Sequence, residues 1–431
     1  MPLSLVPIAP VLLGLVSAQA ALGLMTPLIP ILLLRVGASS PEIGLIASAY
    51  YIGFLAGALT CDRIVMRVGH IRAFAVFAAV AADAALLLVF SAVAWQVAAL
   101  RLLIGFAASG IFLVVESWLN DRSDASTRGR VFGAYLVASW GASAAGPLAL
   151  NVLAAAPVLF VLVGIAFATA VLPLALTRQA NPTVRPQAHF ALNTLFRVSP
   201  VGMACCLGAG LINGAYYSLV PVYLQRQAFG SGSVAAFISA AMIAGLLVQY
   251  PVGLLSDRYG RRPVMLFAVG AGFLLSIALA RFGGVSLAVA NVLGFCFAAM
   301  TAPLYGLGAG QTNDRMERGD YVAASGGLLF LWSLGSSVSP SLAGLAMGRV
   351  GPAGLFGFLA VGLLALGAFV GARMSLRDEV PRNLRSSYVA APSAPPRHSE
   401  LASRAFATRP PRAGSLWVRL LRRRTVEHYE I

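Results

Sequence analysis

Apolar runs long enough to cross a bilayer recur along most of this chain. A helix needs about 20 residues to span ~30 Å of hydrocarbon. Twelve such runs can be marked, at about 8–34, 42–66, 71–92, 95–118, 129–152, 156–176, 201–225, 233–257, 263–281, 285–310, 320–347 and 352–374. They are continuous and lack the two-residue alternation of barrel strands, so they read as helices. Only 11% of the 431 residues are charged and 59% are hydrophobic, against roughly 25% charged in a soluble domain. The expectation is an all-α membrane protein with twelve transmembrane helices, solvated mainly by lipid. The opening stretch, MPLSLVPIAPVLLGLVSAQ, has no basic leader and is expected to stay in place as the first span.

All 31 basic residues are arginine, and the formal net charge is +16. Their placement sets an orientation. One set of loops carries Arg63, Arg67, Arg72, Arg122, Arg128, Arg130, Arg178, Arg185, Arg197, Arg258, Arg261, Arg262, Arg315 and Arg318. The opposite set holds only Arg35, Arg226, Arg281 and Arg349. The rich side is expected to be cytoplasmic, with both termini inside a bacterial inner (plasma) membrane. Topology accounts for the charge, so no nucleic-acid partner is expected. Cys61, Cys205, Cys206 and Cys296 fall in or beside apolar segments without metal-ligand spacing, and read as packing residues. No metal site and no cofactor are expected.

The chain also contains itself twice. A shift of 191 residues lays Pro30 on Pro221, Leu33 on Leu224, Arg35 on Arg226, Arg67 on Arg258 and Gly69 on Gly260. Further on the shift is 193, placing Gly133 on Gly326 and Pro147 on Pro340. The expected organisation is a six-helix bundle at 1–176, a central cytoplasmic loop at 177–200, a second six-helix bundle at 201–374 and a basic tail at 375–431. The tail is rich in Pro, Ser, Ala and Arg and reads as disordered; SLWVRLLRRR (415–424) could instead lie on an anionic leaflet. Parallel repeats of this kind mark secondary transporters, whose halves rock about a midplane site.

The densest charge cluster is GLLSDRYGRR (253–262), between the second and third helices of the second half. Its counterpart, CDRIVMRVGHIR (61–72), is degenerate: Met66 stands where the acid would be, and His70 and Ile71 replace two arginines. GLLSDRYGRR resembles the G-x-L-x-D-R-x-G-R-R signature of the major facilitator superfamily, at the matching loop and with the matching helix count. VVESWLNDRS (114–123) and RGRVFGAY (128–135) resemble the YcaD-type bacterial permeases within it. The resemblance covers about 1–374.

It implies that the 253–262 loop works as a cytoplasmic latch between the halves. Gly253, Asp257, Arg258, Gly260, Arg261 and Arg262 are its candidate residues, with Asp62, Arg67 and Gly69 as the weaker first-half copy. A carboxylate such as Asp257 is stabilised by a helix N-terminus or an arginine, and pseudo-symmetry points it at the fifth helix, which starts with Arg128 and Arg130. Arg258, Arg261 and Arg262 would hold neighbouring acids or lipid phosphates, or else only set topology.

Ionisable groups inside spans are costly and suggest function. Arg101 opens RLLIGFAASG, similar to the family's R-x-x-x-G element, which is tied to proton movement or substrate charge in coupled members. A structural tie or snorkelling is the alternative. Glu116 can exchange a proton or pair with Arg122 or Arg130, and pairing is the favoured reading. Asp83 reads as mid-membrane, either a partnered acid or a proton carrier. By resemblance the first, fourth, seventh and tenth helices line the cavity, which nominates Gln19, Asn213, Tyr216, Tyr217, Asn291 and Tyr305. These can bind a ligand or one another. GASAAGP (141–147) matches an antiporter element only in part, so the direction of transport stays open.

The expected function is secondary active transport of a small molecule by alternating access, coupled to protons, in a monomer whose other partner is membrane lipid. A facilitative uniporter, or a sensor or scaffold on the same fold, are the alternatives. No Walker A, H-E-x-x-H or G-x-S-x-G sequence supports an ATPase or an enzyme. The intramembrane arginine favours an anionic or zwitterionic substrate.

Overall fold

The computed structural model describes residues 8–91, 93–123, 127–152, 155–177, 192–316, 321–376 and Tyr388. Fourteen α-helices and two short 3-10 segments make up the described residues. In the first half these are α1 (Ala9–Arg35), α2 (Ser40–Val68), α3 (His70–Leu87), α4 (Ala94–Asp121), α5 (Arg128–Ala145) and α6 (Ala156–Ala175). A short α7 (Leu192–Val198) lies in the central connection. The second half holds α8 (Pro200–Arg226), α9 (Ser231–Tyr259), α10 (Arg261–Phe282), α11 (Leu287–Thr301), α12 (Leu304–Asn313), α13 (Tyr321–Val350) and α14 (Gly354–Leu376). The segment SLWVRLLRRR and the rest of the tail, apart from Tyr388, lie outside the described residues.

Eleven of these segments are long and apolar enough to span a membrane by length and composition. The twelfth position belongs to α5, whose first turn spends two places on Arg128 and Arg130. It then tightens into 3-10 helix over Gly146–Asn151, beginning at the Gly-Pro pair. One expected span is in fact two helices: α11 and α12 break at Ala302–Pro303. Proline has no N–H to donate and its ring crowds the carbonyl four residues back.

The internal repeat is visible in the helix ends. α8 begins and ends 191 residues after α1, and α9 likewise after α2. α10 starts 191 residues after α3, while α11 and α13 start 193 after α4 and α5. Backbone geometry repeats with them. Gly69 and Gly260 join the second and third helices of each half with φ of 84° and 107°. Glycine carries no Cβ and so accepts that region without strain. Gly37 has φ of 85°, yet its counterpart 191 residues on is Ala228, at 63°.

Each half packs as its own bundle, α2 against α4 and α1 against α6 in the first, α8 against α13 and α10 against α14 in the second. The halves meet chiefly along α2–α13 and α5–α9. Both contacts are tightest near the end of the molecule where α1 stops and α2 starts, the arginine-poor end. There Gly44 packs directly on the Pro340 carbonyl, and Gly344 on that of Ser40. Ser48 and Ser341 hydroxyls lie 2.8 Å apart, and Ser239 donates to the Ala144 carbonyl at 2.6 Å. Small residues let backbones approach this closely.

Candidate functional site

Between the halves lies a cavity of about 120 Å3. It is walled by α1, α2, α4 and α5 from one half and by α8, α9, α13 and the α11–α12 break from the other. Gln19, Thr26, Arg101, Ser143, Asn213 and Ser218 supply its polar surface, and Tyr50, Tyr51, Phe54, Trp140, Tyr217 and Trp332 much of its aromatic surface. Gln19 is fixed by donating from Nε2 to Ser139 Oγ at 2.6 Å. The Arg101 guanidinium carbon sits 4.6 Å above the Tyr50 ring. Tyr51 and Phe54 each face Trp332 edge-on at 6.1 Å, an aromatic contact that crosses the boundary between the halves.

The second constellation lies at the arginine-rich end, in the GLLSDRYGRR loop. Arg261 is 1% exposed, donates from Nε to Asp314 at 3.0 Å and from Nη1 to Ser256 Oγ at 3.0 Å, and its Nη1 lies 3.3 Å from Asp257. It ties the starts of α10 and the ends of α9 and α12 together. Asp257 in turn accepts the backbone N–H of Tyr388 at 3.0 Å, while the Tyr388 hydroxyl donates to Gln249 at 2.7 Å. The Tyr388 ring covers Gly253. Burial pushes the Tyr388 hydroxyl far above its usual range, so it is a neutral donor. Arg258 is exposed and stacks over Tyr259 at 5.3 Å. Arg262 is buried beside Arg315 and Arg373 around a small recess.

The first-half copy is weaker, as its sequence implies. His70 occupies the position of Arg261 and pairs with Ser117 at 2.8 Å, within electrostatic reach of Asp121, the counterpart of Asp314. Met66 and Arg67 are exposed, and Asp62 Oδ1 is buried without a hydrogen-bond partner among the described residues.

The Major Facilitator Superfamily family model matches residues 11–330, most of the chain. The protein belongs to the Major Facilitator Superfamily. Its relatives include the MFS-type transporter YcaD of Salmonella enteritidis PT4, 27% identical over 349 residues, which cover 79% of this chain and 89% of that one. YcaD of Escherichia coli O6:K15:H31 matches at the same 27% over the same length. Among solved structures, the nucleoside transporter NupG (D323A mutant) superposes with a TM-score of 0.69 at 15% identity, covering 84% of this chain and 98% of that one. A bacterial homologue of the lysosomal transporter Spinster, inward-facing and occupied, gives 0.67 at 15%, covering 89% and 99%. Both likenesses are of fold.

Within this Major Facilitator Superfamily fold the nominated residues separate. Gln19, Arg101, Asn213, Tyr217 and Tyr305 line the central cavity. Tyr216 does not. Its hydroxyl donates to the Gly294 carbonyl at 3.2 Å, and its ring packs on Phe297 at 4.9 Å, so it holds α8 to α11. Asn291 is also outside the lining, with Oδ1 buried and unpartnered. Asp83 lies on the exposed face of α3, toward its arginine-poor end, rather than in the middle of the bundle. Glu116 is fully buried and accepts the Tyr135 hydroxyl at 2.9 Å. Arg122 lies 3.7 Å from Asp121, and Arg130 is exposed. Asp257 is engaged within its own half and by Tyr388, and does not touch α5; the Arg128 side chain is outside those described. Of the cysteines, Cys61, Cys205 and Cys206 are buried and Cys296 is exposed on α11.

Sequence reasoning missed the contributions of α2, α5, α9 and α13, including Tyr50, Tyr51, Trp140 and Trp332. A signal was present: ASAYYIGF (47–54) sets two adjacent tyrosines, with Phe54 one turn on, inside a run otherwise made of small and aliphatic residues.

Proposed function

We propose that this protein is a secondary active carrier that moves a small molecule across the bacterial inner membrane by alternating access, coupled to protons. The observation that carries the reading is the cavity between the two bundles, sealed at one end only by close α2–α13 and α5–α9 contacts. At the opposite end, a Cβ added at Gly129 or Gly133 of α5 or at Gly326 of α13 would meet no atom of the described residues within 4 Å. With the arginine-rich side cytoplasmic, this is an inward-facing state. Rocking the halves would bring α5 onto the α9 end that carries Asp257 and part the small-residue contacts at the outer end.

Coupling is supported by Glu116, a fully buried acid in α4 held by the α5 residue Tyr135. A carboxyl placed between two helices that line the cavity can exchange a proton as those helices move.

The test uses spin labels at Gly133→Cys and Leu254→Cys, on α5 and α9 at the arginine-rich end, in a Cys296→Ser background. Two distance populations are expected, with their ratio dependent on pH in the wild type and much less so in Glu116→Gln. A single population at every pH would reject alternating access, and an unchanged pH response in Glu116→Gln would reject coupling through that residue.

A further inference from the structure

The central cavity carries charge of one sign. Arg101 is the only charged residue among the 24 described residues that line it, and these include no Asp, Glu or His. Among the described residues Arg101 forms no ion pair with an acid. Its Nε is buried without a hydrogen-bond partner, and its charge lies beside the Tyr50 and Tyr51 side chains. The Trp332 indole N–H, on the opposing half, is likewise buried and unpartnered. Two buried donors of the wall, Arg101 Nε and Trp332 Nε1, thus lack an acceptor among the described residues, and a buried cation without a counter-charge is costly unless the occupant supplies one.

The remaining surface is mainly aromatic and aliphatic. At about 120 Å3 the space is close to that of an apolar cavity of ~150 Å3 that takes benzene. A body of about one ring's bulk therefore fits it. No acid is present in the lining to receive an ammonium group, which disfavours cations and zwitterions alike.

We infer that the cavity takes a small organic monoanion, a carboxylate of about one ring's bulk, with Arg101 as its anion-binding residue and the Trp332 indole N–H as a second donor. This rests on the carrier reading and narrows it. The carboxylate would lie against the guanidinium, which presents planar paired donors, and the body against the Tyr51–Phe54–Trp332 wall.

The test is thermal unfolding of the purified full chain in detergent with benzoate, benzyl alcohol, benzylamine, phenylalanine or inorganic phosphate at matched ionic strength. Ligand that binds only the folded state raises the midpoint in a saturable way. Benzoate is expected to do so and the other four are not. Arg101→Gln is expected to weaken benzoate at least ~10-fold, and Trp332→Phe, which keeps the ring and removes the donor, ~3- to 10-fold. Should Arg101→Gln fail to fold, Trp332→Phe carries the comparison. Stabilisation by benzylamine, phenylalanine or phosphate equal to that by benzoate, undiminished benzoate binding in the variants, or no response to benzoate would each overturn the inference. The spin-label pair separates the two readings: two distance populations with no benzoate response leave the carrier standing without this substrate class, whereas a single immovable population removes the carrier itself.

Discussion

The backbone N–H of Tyr388 donates to the Asp257 carboxylate at 3.0 Å. Asp257 stands at the end of α9, on the surface that α5 would meet if the arginine-rich ends closed. Tyr388 thus engages the acid to which the sequence assigns a latch, with its ring on Gly253 and its hydroxyl on Gln249. Removing the side chain should loosen this plug. Tyr388→Ala is expected to shorten the mean distance between labels at Gly133→Cys and Leu254→Cys; an unchanged distribution would show that the contact has no bearing on closure.

The two copies of the loop should differ in worth. A hydrogen bond to a charged group contributes about 1.5–3 kcal/mol, or roughly ten- to a hundredfold in the population of the state that uses it. Asp257→Asn should therefore depress the closed population and transport by at least about tenfold. Asp62, whose Oδ1 has no partner here, should lose less than ~3-fold as Asn. Equal losses, read by the same labels and by uptake or efflux, would contradict a lopsided latch.

The buried pair at the start of α10 is a stability element. Arg261 and Asp314 side chains are 1% and 2% exposed and 3.0 Å apart. Breaking such a pair strands a buried charge and costs about 3–5 kcal/mol. Asp314→Ala should lower the thermal midpoint markedly. At the equivalent place in the first half, Asp121 is about a third exposed, and Asp121→Ala should cost less than ~1 kcal/mol. Calorimetry or tryptophan fluorescence in detergent measures both.

Closure at the arginine-poor end depends on the absence of a side chain at Gly44, whose Cα side meets the Pro340 carbonyl directly. Gly44→Val should hold α2 off α13 and favour the state open at that end. With Tyr50→Cys as reporter in a Cys296→Ser background, labelling by a membrane-impermeant thiol reagent from that side should rise at least ~5-fold, given a shift of ~1 kcal/mol or more from overpacking. No rise would mean that this contact does not seal the cavity.

Ala228 holds a φ of 63°, a region that Gly37 occupies in the other half. A Cβ costs roughly 1–2 kcal/mol there. Ala228→Gly should therefore raise stability by about 1 kcal/mol, seen as a higher unfolding midpoint with unchanged label distances.

Much of the architecture is legible along the chain, because lipid forces each crossing to be a long apolar helix and topology forces the arginines to one side. The 191-residue repeat matches helix starts in both halves because the same turn glycines, Gly69 and Gly260, recur with the same positive φ. The cavity was only half legible. Gln19, Arg101, Asn213, Tyr217 and Tyr305 could be nominated because polar or aromatic groups in apolar helices stand out. Trp140 and Trp332 could not, because aromatics are equally at home facing lipid, bundle core or cavity, and nothing local tells these apart.

The sequence by itself determined the solvent, the number of crossings to within the α5 exception, the end at which the arginines collect and the twofold internal repeat. All of these follow from hydropathy and charge read one segment at a time. Only the tertiary structure decided that Asp83 faces outward, that Glu116 meets Tyr135, that Asp257 is held by Tyr388, and that no acid among the described residues pairs with Arg101. Those outcomes depend on the rotation of each helix about its own axis and on which half it leans against, and packing between residues far apart in the chain sets both.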